Sequence, residues 1–159
     1  MTTSFEEFAA GQVTPLLRYA TALAGDPHLA QDLVQESLLR AQQRWKRIGD
    51  LAHPAAYLKR MVTNEFLSWR RRFVRHAPLA EDASTADPTR AVDERDAMAR
   101  SIARLTRKQR VAIVLRYFED YEDAAIAEVL GCAEVTVRSH ISRALTTLRA
   151  EHKQKEAAL

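Results

Sequence analysis

Residues Asp123 to Arg149 read DAAIAEVLGCAEVTVRSHISRALTTLR, and the periodicity of this stretch decides the fold. Ala125, Ile126, Val129 and Leu130 form a short apolar face at helical spacing, and Val137, Ile141, Ala144, Leu145 and Leu148 resume the period beyond Gly131. Glycine adopts positive φ without steric cost, so the spacing predicts two helices joined by a glycine turn, a helix-turn-helix. Ala127, four residues before Gly131, is small where two steeply crossing helices leave no room for more. The second helix carries Thr136, Arg138, Ser139, His140, Ser142 and Arg143 on its other faces, a set of donors suited to phosphates and base edges in a major groove. An ordinary helical hairpin with a solvated polar face has the same pattern, so the rest of the chain has to decide.

The chain has 159 residues, enough for one domain or two small ones, and two helical units of that size would each have only a modest core. Lys and Arg number 24 against 21 Asp and Glu, a net charge of +3, so only the distribution of charge can point to a partner. Cys132 is the only cysteine, which rules out an intramolecular disulfide and suits a reducing compartment. The start, MTTSFEEFAAGQ, lacks a basic n-region and an apolar h-region, and no apolar run approaches the ~20 residues needed to cross a bilayer. A cytoplasmic protein without a membrane partner is expected. Four glycines and little strand-like alternation predict an all-α chain.

Ser4 with Glu7 forms a capping-box pattern, opening a helix whose apolar side carries Phe5, Phe8, Leu16, Ala20 and Leu23, with a kink or break expected at Pro15 and an end at Gly25. Asp26 and Pro27 start a second helix running to about Trp45, with Ala30, Leu33, Val34, Leu38, Ala41 and Trp45 inward. Its outer side shows Asp32, Gln35, Glu36 and Arg40, which periodicity alone reads as a solvated face. After a loop marked by Gly49, Asp50, His53 and Pro54, a third stripe follows: Tyr57, Leu58, Met61, Val62, Phe66, Trp69 and Phe73. This helix is basic, with Lys59, Arg60, Arg70, Arg71, Arg72 and Arg75 against Glu65, enough to form a phosphate-binding surface. Trp69 and Phe73 fall in register with the core stripe. Tyr57 and Asn64 lie on the more polar side, where both packing and contact with single-stranded nucleic acid fit.

From Ala77 the composition turns acidic and rich in Pro, Ser and Thr, a linker between basic units. A helix from about Arg90 to Arg104 should then bury Val92, Met98, Ala99, Ile102 and Leu105. Thr106 with Gln109 forms a capping box before Val111, Val114, Leu115 and Phe118, an apolar face beneath the helix-turn-helix. The expected architecture is two small helical domains: residues 1–76, an acidic linker 77–93, a second domain 94–152 and a tail 153–159, whose polar, unpatterned composition fits a disordered tail better than a degradation signal. Five scattered histidines, one cysteine without a partner at zinc spacing and no glycine-rich phosphate loop argue against an enzyme, a metal or a cofactor.

The order of these pieces resembles a known family. DLVQESLLRAQQRW, YLKRMVTNEFLSWRRR, the acidic linker, and LTRKQRVAIVLRYFED leading into IAEVLGCAEVTVRSHISRAL are similar to regions 2 and 4 of extracytoplasmic-function (ECF) sigma factors, minimal members of the sigma-70 family. SFEEF and LAGDPHLAQDLVQE lean toward its SigE-like actinobacterial group. The resemblance implies a non-catalytic factor that binds core RNA polymerase and directs initiation at promoter DNA through −10 and −35 elements, assisting strand opening. It gives Asp32, Gln35 and Glu36 to the β′ clamp helices of core polymerase, with the β flap as a further contact on core. Asp50, His53, Tyr57, Lys59, Arg60, Asn64, Arg70 and Arg71 fall in the part that reads the −10 element, where a base is flipped from the stack. Thr136, Arg138, Ser139, His140, Ser142 and Arg143 fall in the part that reads the −35 element. An anti-sigma partner and a linker threading the polymerase are further implications.

Two departures stand out. His140 replaces the family's usual basic residue, and Glu122, Asp123, Ala124 and Ala125 replace a Ser-Tyr-Glu-Glu type start, leaving Asp120 or Asp123 as the expected cap. The rival reading is an autonomous regulator that binds duplex without polymerase, although no sensor or dimerisation domain is evident.

Overall fold

The computed structural model describes residues 3–73 and 94–158, and it is helical, with no strand among the described residues. The acidic linker, with Val92 and the expected start of the next helix, lies outside the described residues.

Helix α1 (Phe5–Ala24) starts where the Ser4 hydroxyl accepts from the Glu7 amide at 3.3 Å, and it ends at Gly25, which takes the left-handed conformation at φ 71°. The expected break at Pro15 does not occur. A proline ring presses on the carbonyl four residues back, which here belongs to Gly11, and nothing packs within 4 Å of that glycine's missing Cβ, so the turn has room to adjust. Asp26 caps α2 (Pro27–Gln43) by accepting from the His28 amide. That helix stops short of Trp45, which instead opens the short α3 (Trp45–Ile48). The Trp45 indole packs between Phe5 and Phe8, ring centroids 5.6 and 4.9 Å away, and donates to the Thr3 carbonyl, so anchoring back onto α1 outweighs one more turn of α2. Helix α4 (Pro54–Phe73) buries Leu58, Val62 and Phe66 against α1 and α2.

In the second half α5 (Glu94–Ala103) packs through Ile102, with Leu105 buried just beyond its end, while Met98, one turn before Ile102 and expected in the core, is exposed. The capping box of Thr106 and Gln109 opens α6 (Arg107–Tyr117) as expected. Phe118, also expected on the buried face, is instead the exposed C-cap of α6, and Tyr121 turns back onto the core in its place. Between them Asp120 takes a left-handed conformation at φ 56°. Neither Asp120 nor Asp123 caps α7 (Asp123–Leu130); the cap position is Glu122, without a side-chain bond. Gly131, at φ 65°, makes the turn into α8 (Glu134–Ala157), which buries Val137 and Ala144. The expected tail from Lys153 continues this helix through Ala157.

Two separate modest cores were expected. The structure has one continuous apolar cluster running from Leu16, Tyr19, Leu58 and Phe66 to Val111, Leu115, Ile126 and Val137, with a smaller one beside it at Ile102, Leu105, Ile113 and Ala144. Two arginines of α6 close the seam between the halves. Arg110 donates to the Leu23 carbonyl at the end of α1 (2.8 Å) and to the Ala103 carbonyl (2.7 Å), and Arg107 donates to the Phe66 carbonyl (2.9 Å). Both guanidinium carbons lie 5.4 Å from the centre of the Phe66 ring. A cation at the C-terminal end of α1 satisfies a carbonyl left without an intrahelical partner and meets the negative end of the helix dipole. Burial, then the charge of Arg107, lowers the pKa of Arg110.

Candidate nucleic-acid interface

Helix α8 separates its faces cleanly. Val137 and Ala144 are buried and Ile141 packs beside them, so Arg138, Ser139, Ser142 and Arg143 stand exposed on the other side, with Thr136 and His140 half-buried at its margins. The six residues therefore share one helix, in its first three turns, and four are exposed. The pKa of His140 is lowered, by burial first and then by the charges of Lys108 and Arg143, which keeps the imidazole neutral near pH 7. Val135, in the first turn, is 61% exposed, an apolar group beside the donors that periodicity alone did not single out. Arg138 is not free: its Nη1 lies 3.4 Å from Asp123 Oδ2, and Asp123 also pairs with Arg116. Cys132 is half-buried against the core just after the turn, and its amide donates to the Ala127 carbonyl.

The first half carries a second polar surface. Asp50 and His53 are exposed on the loop between α3 and α4, and Arg60 and Asn64 are exposed on α4. Tyr57 is half-buried against the core, three residues from Arg60 and seven from Asn64, so the three share a helix face. Lys59 does not join them. Its ammonium bonds Glu119 at 2.7 Å in the second half and lies 5.5 and 5.3 Å from the ring centres of Tyr19 and Tyr121. Arg70 and Arg71 belong to the last turn of α4. Behind this face the Thr63 hydroxyl donates to the Lys59 carbonyl (2.8 Å), leaving its oxygen to accept from the Tyr19 phenol (2.6 Å), and burial pushes the phenol pKa well above its usual value.

On α2, Asp32 and Gln35 are exposed, while Glu36 is half-buried and paired with Arg40 at 3.0 Å. Arg40 also holds Glu65, which is 7% exposed; in the sequence that carboxylate looked like a lone acid among basic residues. Gln35 borders a shallow apolar groove with Phe5, Ala9, Leu38, Leu39 and Gln42, and Leu39 is 56% exposed. No group of His, Cys, Asp and Glu among the described residues is arranged to hold a metal, and no described helix is long and apolar enough to cross a membrane.

These features define a helical protein of two packed units, one of them a helix-turn-helix with an open polar face. Comparison with known proteins is specific. Residues 13–76 match the model of sigma-70 region 2 and residues 95–148 that of sigma-70 region 4. The chain is 36% identical to the RNA polymerase sigma-E factor of Streptomyces avermitilis over 96% of its own length and 87% of that protein's. It is 38% identical to the ECF RNA polymerase sigma factor SigL of Mycobacterium tuberculosis, over 84% of this chain and 80% of that one. The sigma factor RpoE of Bartonella quintana, solved with the anti-sigma factor NepR, has a TM-score of 0.72 at 25% identity, covering 94% of this chain and 96% of that one. CnrH, solved with the cytosolic domain of CnrY, shares the fold, with a TM-score of 0.62 at 22% identity over 94% and 88%. The chain belongs to the sigma-70 family, in its ECF group, and is a sigma factor.

Proposed function

We propose that the two polar faces divide the work of a promoter-specific initiation factor in the cytoplasm, without catalysis by the chain itself. The first unit docks on the β′ clamp helices of core RNA polymerase through Asp32, Gln35 and Glu36, and the apolar groove beside Gln35 gives that contact area to bury. Asp50, His53, Tyr57, Arg60 and Asn64, with Arg70 and Arg71 at the end of the same helix, meet the opened −10 strand. Stacking on Tyr57 and phosphate contacts offset the few kcal/mol needed to unstack a base. Lys59 joins them once its pair with Glu119 opens.

The second unit faces the polymerase β flap and lays α8 in the major groove of the −35 element with Thr136, Arg138, Ser139, His140, Ser142 and Arg143, where exposed Val135 suits a thymine methyl. An anti-sigma factor that holds both units is a further expected partner, by likeness to RpoE. The observation that carries the reading is the exposure of Arg138, Ser139, Ser142 and Arg143 along one side of α8 while its other side is buried. Run-off transcription with purified core polymerase on a promoter library tests it. Specific transcripts that need both protein and core are expected; tight, specific duplex binding without core, and no transcripts with it, would favour an autonomous regulator.

A further inference from the structure

Asp123 is the first residue of α7, and its carboxylate does no capping work, since the cap position belongs to Glu122. Instead it faces two arginines from different helices. Arg116 of α6 pairs with one carboxylate oxygen, and Arg138 of α8 stands 3.4 Å from the other. The side chains of Asp123 and Arg116 are 23% and 32% exposed, whereas that of Arg138 is 60% exposed. A carboxylate fixed by one guanidinium thus holds one nitrogen of a second, whose remaining donors are open to solvent.

We propose that Asp123 is a positioning residue that sets base discrimination by Arg138, by holding that guanidinium toward one base pair and away from neighbouring phosphates. This rests on the reading of α8 as the −35 helix. A guanidinium carries five donors, so a contact at one nitrogen leaves others for a two-pronged contact with a base edge. An unrestrained arginine would be drawn to the nearest phosphate on any sequence, because phosphate contacts carry no sequence information. The Asp123 charge opposes that in two ways: it narrows the positions open to Arg138, and it repels phosphates. General affinity is lowered and selectivity raised.

The test uses holoenzyme assembled from the full chain and core polymerase, on promoter fragments varied at each −35 base pair, with thermal melting of each variant alongside. Arg138→Ala should lose discrimination at one base pair by about tenfold. Asp123→Asn, which keeps the size of the side chain, should lose discrimination at that same base pair and bind non-promoter duplex more tightly. Asp123→Glu, which keeps the charge, should restore part of the discrimination. In an Arg138→Ala background Asp123→Asn should change nothing further at that position, a coupling that general damage to the fold would not produce. An even loss at every position would show that Asp123 only ties helices together, and sharper discrimination in Asp123→Asn would show that it masks Arg138; either overturns the proposal. If Arg138→Ala discriminates as well as wild type, the −35 reading of Arg138 fails and the proposal with it. If Arg138→Ala loses one base pair and Asp123→Asn does not, the proposal alone fails.

Discussion

The two units carry their proposed nucleic-acid faces on helices of opposite design. In the second, α8 keeps its tasks on separate sides: Val137 and Ala144 are buried, and Arg138, Ser139, Ser142 and Arg143 are open. In the first, α4 combines three tasks along one helix. Leu58, Val62 and Phe66 hold the core, Arg60 and Asn64 stay exposed, and Lys59 binds the other unit. A helix-turn-helix reads a duplex that already has its final shape, so its face can stand open. A helix that receives an opened strand can share its surface with a neighbouring unit until the strand arrives. Substitutions on the open side of α8 should therefore act mainly on DNA, while those on α4 should act on stability, on the contact between units and on DNA together.

The strongest challenge to this contrast is Phe66→Ala. The ring is 2% exposed and has two guanidinium groups beside it, so its loss should cost about 3–5 kcal/mol. Chemical denaturation followed by probes in both halves should show one transition shifting as a whole, because the apolar cluster crosses the seam. Two transitions, with only the first unit destabilised, would mean that the halves fold independently.

A smaller effect is expected from Glu119→Gln. The pair it makes with Lys59 is partly exposed, 28% and 21%, so its loss should cost no more than about 1 kcal/mol. Its diagnostic effect is on binding: affinity for single-stranded −10 DNA should rise as Lys59 is freed. Unchanged affinity would place Lys59 outside the −10 face.

The smallest effect is the pH response of His140, which sharpens the picture of α8. Its pKa is lowered in the free protein, by burial and by the nearby charges of Lys108 and Arg143. A phosphate nearby would favour the cation, so DNA binding should take up a proton and strengthen as pH falls from 7.5 toward 5.5, by less than about tenfold. The free protein should respond in the opposite sense. The unfolded imidazole takes its proton at about pH 6.5, before the folded one, so stability present above that value is lost as pH falls through the lowered folded pKa. Titrations of wild type and His140→Gln should differ in both respects; identical profiles would place His140 off the phosphates.

Much of this was legible in the residues. Ser4, Asp26 and the Thr106–Gln109 pair mark three helix starts, and Gly25 and Gly131 two ends, because caps and positive φ are local requirements. The six candidate residues of α8 could be placed on one helix because a 3.6-residue period needs no knowledge of the partner helix. Periodicity failed where a residue at the right spacing met no partner: Met98 lies a turn before the packed end of α5, and Phe118 falls where α6 ends and the chain turns away. It also missed Glu65, which a solvated-face pattern cannot distinguish from a buried acid held by Arg40.

The sequence by itself determined the all-α class, the glycine turn of the helix-turn-helix and the polar side of α8, since each depends on spacing within a few turns. Only the tertiary structure decided that one apolar cluster crosses both units, that Arg107 and Arg110 bond carbonyls of the first unit, and that Lys59 faces Glu119, 60 residues away. It also turned Asp123 from an expected cap into the partner of Arg116 and Arg138. The physical reason is the same in each case: a charge or carbonyl takes its partner from whatever the fold brings within hydrogen-bonding distance, and that distance has no periodicity along the chain.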